Sequence, residues 1–233
     1  MNRDVGVTEL IRSILPEWIV PVFETTALLG DELVAVGVLG VVVAVEVTRS
    51  MHRDSDRALS SETAMLLGIV LGGLALTLAL KTAFGFSRPP SSLQAVPRES
   101  GGFPSGHTMA ATVLWLSLVR WSDRGTTRLR LLVAVGVIGL VGFSRLALGV
   151  HYLVDVLASV GFGVGYLLLA EHLVGEEPIR AFGLATVLGT GALLVTGGTT
   201  DGWLAFVGCV GGAAGWWAIN RPIAREIWLT ATR

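Results

Sequence analysis

Seven apolar runs, each close to the twenty or so residues that cross a bilayer as a helix, leave this 233-residue chain few ways to fold. They fall at about residues 28–48, 63–81, 105–121, 130–149, 152–171, 180–197 and 202–219. In hydrocarbon a backbone N–H or C=O finds no water, so such runs form helices, which satisfy those groups internally. The chain is 52% hydrophobic and 15% charged, where a soluble domain carries roughly a quarter charged residues. The expected fold is therefore all-α, a polytopic transmembrane helix bundle with an N-terminal interfacial helix. Residues 9–24 are apolar but interrupted by Arg12, Pro16, Glu17 and Pro21, which suits a short amphipathic piece at the interface. The expected organisation is an N-terminal interfacial segment over 1–27, a transmembrane domain over 28–219 and a cytoplasmic tail over 220–233. No basic stretch followed by an apolar core opens the chain, so the first membrane helix is expected to serve as the signal.

Arginine positions set the expected orientation. With seven spans, the Arg49–Arg57 and Arg120–Arg130 loops, Arg180, and Arg221, Arg225 and Arg233 all fall on one side, which should be cytoplasmic. The N-terminus and three polar clusters then lie together on the outer face. These clusters are Lys81 to Pro89, Pro104 to His107, and Ser144 to Asp155. Each stands at the end of an apolar run, where a charge facing lipid costs roughly 3 kcal/mol or more, so retention implies use.

The residue types in these clusters suit one chemistry. His151 and Asp155 are four apart and share a helix face, so the carboxylate can fix the imidazole tautomer and leave an oriented nucleophile or base. Arg145 can turn back to the same place across Gly149, and its guanidinium suits phosphate. Pro104 starts a helix whose first turn holds Ser105 and Gly106, where free N–H groups attract an anion. His107 beside them can donate a proton to a leaving oxygen. Lys81 and Arg88 add two cations, and Lys81 is the sole lysine among 17 basic residues. Three cations, several amides and two histidines describe a phosphoryl-transfer site in which the protein neutralises the developing charge. Asp155 is the one carboxylate in the clusters, too few for a metal, so neither metal nor cofactor is expected.

Lys81-x6-Arg88-Pro89, Pro104-Ser105-Gly106-His107 and Ser144-Arg145-x5-His151-x3-Asp155, in this order, resemble the signature of the type 2 phosphatidic acid phosphatase (PAP2) superfamily. The resemblance covers about residues 63–171. It implies a six-helix core, one fewer than the spans read here. It also implies that His151 becomes a phosphohistidine, that His107 protonates the leaving oxygen and that Asp155 orients His151. Lys81, Arg88, Ser105, Gly106 and Arg145 would bind the phosphate. The expected activity is a metal-independent lipid phosphatase in the cell membrane, acting at the outer face on polyprenyl diphosphate, phosphatidic acid or phosphatidylglycerophosphate. Its expected partners are that lipid and the bilayer, with oligomeric state open.

Rival readings are a lipid phosphotransferase, a vanadate-dependent haloperoxidase relative, and a non-catalytic scaffold or transporter. Soluble haloperoxidase relatives lack such apolar runs, and the histidine pair speaks against a scaffold. A net charge of -1 offers nothing to nucleic acid, and lone Cys209 indicates no disulfide or zinc site. His52 and His172 read as solvated, Glu46 as snorkelling or pairing with Arg49, and Trp216, Trp217 and Trp228 as an interfacial belt.

Overall fold

The computed structural model describes residues 6–53, 55–99, 101–121 and 125–231; Arg124 and Arg233, used above for orientation, lie outside them. Ten α-helices make up the described chain, with no strand among the described residues. They are α1 Gly6–Ile14, α2 Val20–Ala27, α3 Glu32–His52, α4 Ser61–Phe84, α5 Gly106–Trp121, α6 Thr127–Ala147, α7 Leu153–Val174, α8 Pro178–Val195, α9 Thr200–Ile219 and α10 Pro222–Ala231. Six of them, α3, α4 and α6 to α9, are long and apolar enough to cross a membrane. The protein is a multi-pass membrane protein.

The seventh expected span is α5, and its 16 residues make it about 24 Å long, short of a hydrocarbon core of roughly 30 Å. Nine of those residues are buried, because α5 is packed by α4, α6 and α7. A helix clad in protein has little need to match the bilayer. Helix α4 is the other central post, with 61% of its apolar window buried against 11% for α3 and α9. The main core gathers Met65, Leu66, Ile69 and Val70 of α4, Val113 and Leu114 of α5, and Tyr166 of α7, whose Oη donates to the Ile69 carbonyl at 2.7 Å. Helices α4 and α8 touch closely because position 68 is glycine: a Cβ there would stand 2.8 Å from that of Ala181.

Polar punctuation, rather than hydropathy, fixes where the helices begin and end. Ser60, Thr126 and Thr199 each accept an N–H from the first turn of α4, α6 and α9. Asp31 does the same for α3, so the first span runs over 32–52 and not 28–48. Residues 28–30, expected inside that span, form a separate 3-10 turn. Helix α4 likewise passes Lys81 and stops at Gly85, whose φ of 56° is the left-handed conformation glycine adopts without strain. Lys81 thus lies in its last turn instead of ending it.

Two ends of the bundle are defined by contacts between helices. At one, Glu46 accepts from the Ser60 N–H and the Thr63 hydroxyl, Arg120 pairs with Glu171, and Trp228 Nε1 donates to the Ser55 carbonyl. The Glu46 contacts reach α4, a partner not expected from sequence. His52 and His172 are exposed there. The three motifs all lie at the other end.

Candidate active site

The loop after Gly85 carries Arg88 across the end of the bundle to Val150 and His151, just ahead of α7. Phe84, Phe86, Phe103 and Phe162 hold it there, with ring centroids 5.0 to 6.1 Å apart. Behind it, α6 ends at Ala147 and Gly149 takes φ 70°, turning the chain back so that the Val150 N–H reaches the Arg145 carbonyl. A side chain at position 149 would run into the Leu93 carbonyl, and the Ala95 N–H bonds the Leu148 carbonyl at 3.0 Å. The two loops are therefore locked together. Their junction places Arg88 beside His151.

His151 is 1% exposed and held from both ring nitrogens. Its Nδ1 lies 2.8 Å from the Gly102 carbonyl and 3.5 Å from Asp155 Oδ2. A carbonyl can only accept, so Nδ1 carries the proton and Nε2 presents the lone pair. Arg88 Nη1 donates to that lone pair at 3.0 Å and to the Val150 carbonyl at 2.9 Å. Burial, the largest cause, pushes the His151 imidazole down to about 4; Asp155 opposes this while Arg88 and Arg145 reinforce it. At neutral pH the ring is uncharged, the form that can act as a nucleophile.

Asp155 is wholly buried in the first turn of α7, where its Oδ2 also accepts the Tyr152 N–H at 2.9 Å. Its contact with His151 Nδ1 is shared with the carbonyl of Gly102, a residue outside the three motifs. A backbone carbonyl leaves no side-chain signature. Gly102 itself is hemmed in, since a Cβ would lie 2.8 Å from the Ser87 carbonyl oxygen.

Arg145 is 2% exposed, and its Nε has no hydrogen-bond partner in the protein among the described residues. A buried guanidinium with an unused donor is costly unless an anion completes it. Lys81, half-buried, lies within electrostatic range of Arg88 and Arg145, and His107 within range of Arg145, His151 and Lys81. Gly106 opens α5, whose first N–H groups have no intrahelical partner. The Ser105 N–H donates to the Asp155 carbonyl at 3.3 Å, bracing the start of α5 against α7, and its Oγ bonds Thr108 Oγ1 at 2.9 Å.

Three further contributions escaped the motif reading. Arg98, exposed in the loop between the first two motifs, acts electrostatically on Arg88, His107 and Arg145. Its signal was a basic residue between two motifs. Thr8, in a segment expected only to anchor, is buried and donates its hydroxyl to the His151 carbonyl at 3.0 Å. Asp31 Oδ2 lies 3.7 Å from His107 Nε2.

A family model described as the PAP2 superfamily matches residues 62–178. The fold is similar to the crystal structure of a transmembrane PAP2 type phosphatidylglycerolphosphate phosphatase from Bacillus subtilis, with a TM-score of 0.58 and 24% identity over 70% of this chain and 80% of that one. No curated protein matches the sequence.

Proposed function

Since the chain belongs to the PAP2 superfamily, whose model spans residues 62–178, we propose that it is an integral-membrane phosphatase that removes the terminal phosphate of a lipid phosphate or diphosphate through a phosphohistidine on His151. The observation that carries this reading is Arg145, a buried cation whose Nε has no partner among the described residues, within electrostatic range of a neutral, oriented His151.

In the first step His151 Nε2 forms a bond to phosphorus while the bond from phosphorus to the lipid oxygen breaks, and that oxygen takes a proton from His107. Arg88 transfers its donation from Nε2 to a phosphate oxygen as the substrate seats. Lys81, Arg145 and the first amides of α5 share the charge on the equatorial oxygens. In the second step water attacks phosphorus, His107 takes its proton, and the N–P electron pair returns to Nε2 as phosphate leaves. Every group invoked is a side chain or amide of this protein.

A lipid substrate is supported by an apolar groove of about 820 Å³ between α3, α4, α5 and α6. It starts at Val34, one turn from Asp31, and reaches Glu46, a stretch of about 18 Å along α3 at 1.5 Å per residue. A hydrocarbon chain laid there would leave its phosphate at the motif end. The Arg49–Arg57 and Arg120–Arg130 loops and Arg221 and Arg225 at the opposite end favour an outward-facing site. Polyprenyl diphosphate, phosphatidic acid and phosphatidylglycerophosphate all present the required terminal phosphate.

The test is phosphate release from these three lipids by the full chain in detergent, with trapping of an acid-labile, base-stable phosphoenzyme. His151→Ala should lose both signals. No release from any of the three, or undiminished release by His151→Ala, defeats the proposal.

A further inference from the structure

Asp31 stands outside the matched residues 62–178 and outside all three motifs, yet three consecutive residues tie it to α5. The Leu29 carbonyl accepts Trp115 Nε1 at 3.2 Å. Gly30 rests directly on the His107 carbonyl and Val141, with no room for a Cβ. Asp31 follows, with its carboxylate fixed by division of labour: Oδ1 accepts the Leu33 N–H at 2.9 Å as the cap of α3, and Oδ2 faces His107 Nε2 at 3.7 Å.

The geometry points to Asp31 as the positioning residue of His107, holding the imidazole so that its remaining nitrogen, Nδ1, gives its proton to the leaving oxygen. This inference rests on the phosphatase reading above. Its physical basis is charge. Burial most of all, and then the fields of Arg145, His151, Lys81 and Arg98, disfavour an imidazolium at His107. A general acid must nevertheless carry its proton to the reaction. Asp31 is the carboxylate in contact with the ring, while neighbouring Glu32 lies in the field of Lys81. Two imidazoles thus have a carboxylate each: Asp155 for His151 and Asp31 for His107. The N-terminal segment, from Thr8 to Asp31, then supplies part of the reaction site and not only an anchor.

Asp31→Asn separates the two duties, because asparagine caps a helix about as well as aspartate but carries no charge. Turnover by the full chain in detergent is compared for an alkyl lipid phosphate, whose alkoxide leaves only with a proton, and for p-nitrophenyl phosphate, whose phenolate leaves without one. General acid catalysis contributes ~10²- to 10⁴-fold, and loss of the positioning charge should remove about tenfold to a hundredfold of kcat on the alkyl substrate. Its KM and the thermal midpoint should change little, the aryl substrate should slow by less than about threefold, and Asp31→Glu should recover part of the loss. In a His107→Gln background Asp31→Asn should add nothing. Equal slowing of both substrates, alkyl turnover unchanged, or a full further loss on top of His107→Gln would overturn the inference and leave the phosphatase standing, provided His151→Ala is inactive. A wild-type protein inactive on both substrates, or an active His151→Ala, overturns the phosphatase reading and this inference with it.

Discussion

Replacing Asp155 by asparagine separates two accounts of how His151 is readied. In one, the carboxylate alone sets the tautomer, and its loss leaves the proton on the wrong nitrogen, an error worth ~10⁴-fold in turnover where it occurs. In the other, the Gly102 carbonyl at 2.8 Å holds the Nδ1 proton, and Asp155 at 3.5 Å contributes charge. The structure supports the second. In the proposed mechanism the ring gains positive charge as Nε2 attacks phosphorus. A full unit charge 3.5 Å from a carboxylate interacts by about 4.7 kcal/mol at an effective dielectric of about 20, and half a charge by about 2.4 kcal/mol. Lost from the transition state, that is roughly a 50-fold fall in kcat. The asparagine oxygen still accepts the Tyr152 N–H, so α7 keeps its cap and the thermal midpoint should hold. The assay is steady-state phosphate release from a lipid phosphate, with His151→Ala as the zero. A loss of ~10⁴-fold or more would show that Gly102 does not hold the tautomer, and a loss under about threefold would show that the charge is spent elsewhere.

Two other outcomes follow from the same surroundings. Gly102→Ala should abolish turnover, because its Cβ would stand 2.8 Å from the Ser87 carbonyl oxygen and 3.0 Å from the Arg88 Cα; a variant at a tenth or more of wild-type activity, measured by phosphate release, would show that the loop yields. Acid should act on stability through His151. Folded, its ring stays neutral down to about 4, whereas the unfolded chain binds that proton near pH 6.5, so the unfolded state holds more protons in between and stability falls as pH drops through this window. Thermal midpoints measured from pH 7 to 4.5 should therefore fall more steeply for wild type than for His151→Gln, and equal slopes would refute the assignment.

Much of this was legible in the sequence because its causes are local. Apolar runs fix helices, and their alternation along the chain fixes which helix ends share a side. Lys81, Arg88, His107, Arg145, His151 and Asp155 do lie at one end of the bundle. Helix boundaries followed a different rule. The stretch from Leu28 to Val34 reads as continuous hydropathy with an acidic interruption, but Asp31 is a cap, so the chain breaks there and presents its carboxylate to α5. The pattern Asp-Glu before an apolar run was the available signal.

What the sequence hid are contacts made by backbone atoms between distant segments. Gly102 orients His151 with a carbonyl, Ser105 spends its N–H on the Asp155 carbonyl, and Thr8 reaches the His151 carbonyl across 143 positions. These bonds share a consequence. Each ties a neighbour of the His107 or His151 imidazole to another segment, so in the proposed mechanism Arg88, placed by the chain after Gly85, shifts from Nε2 to a phosphate oxygen while the ring it leaves stays put. A cation that releases the lone pair as the phosphate arrives matches nucleophile exposure to substrate binding. That exchange needs a fixed imidazole and a movable guanidinium. Asp155 and Gly102, both buried, supply the first, and Arg88, only half-buried, the second.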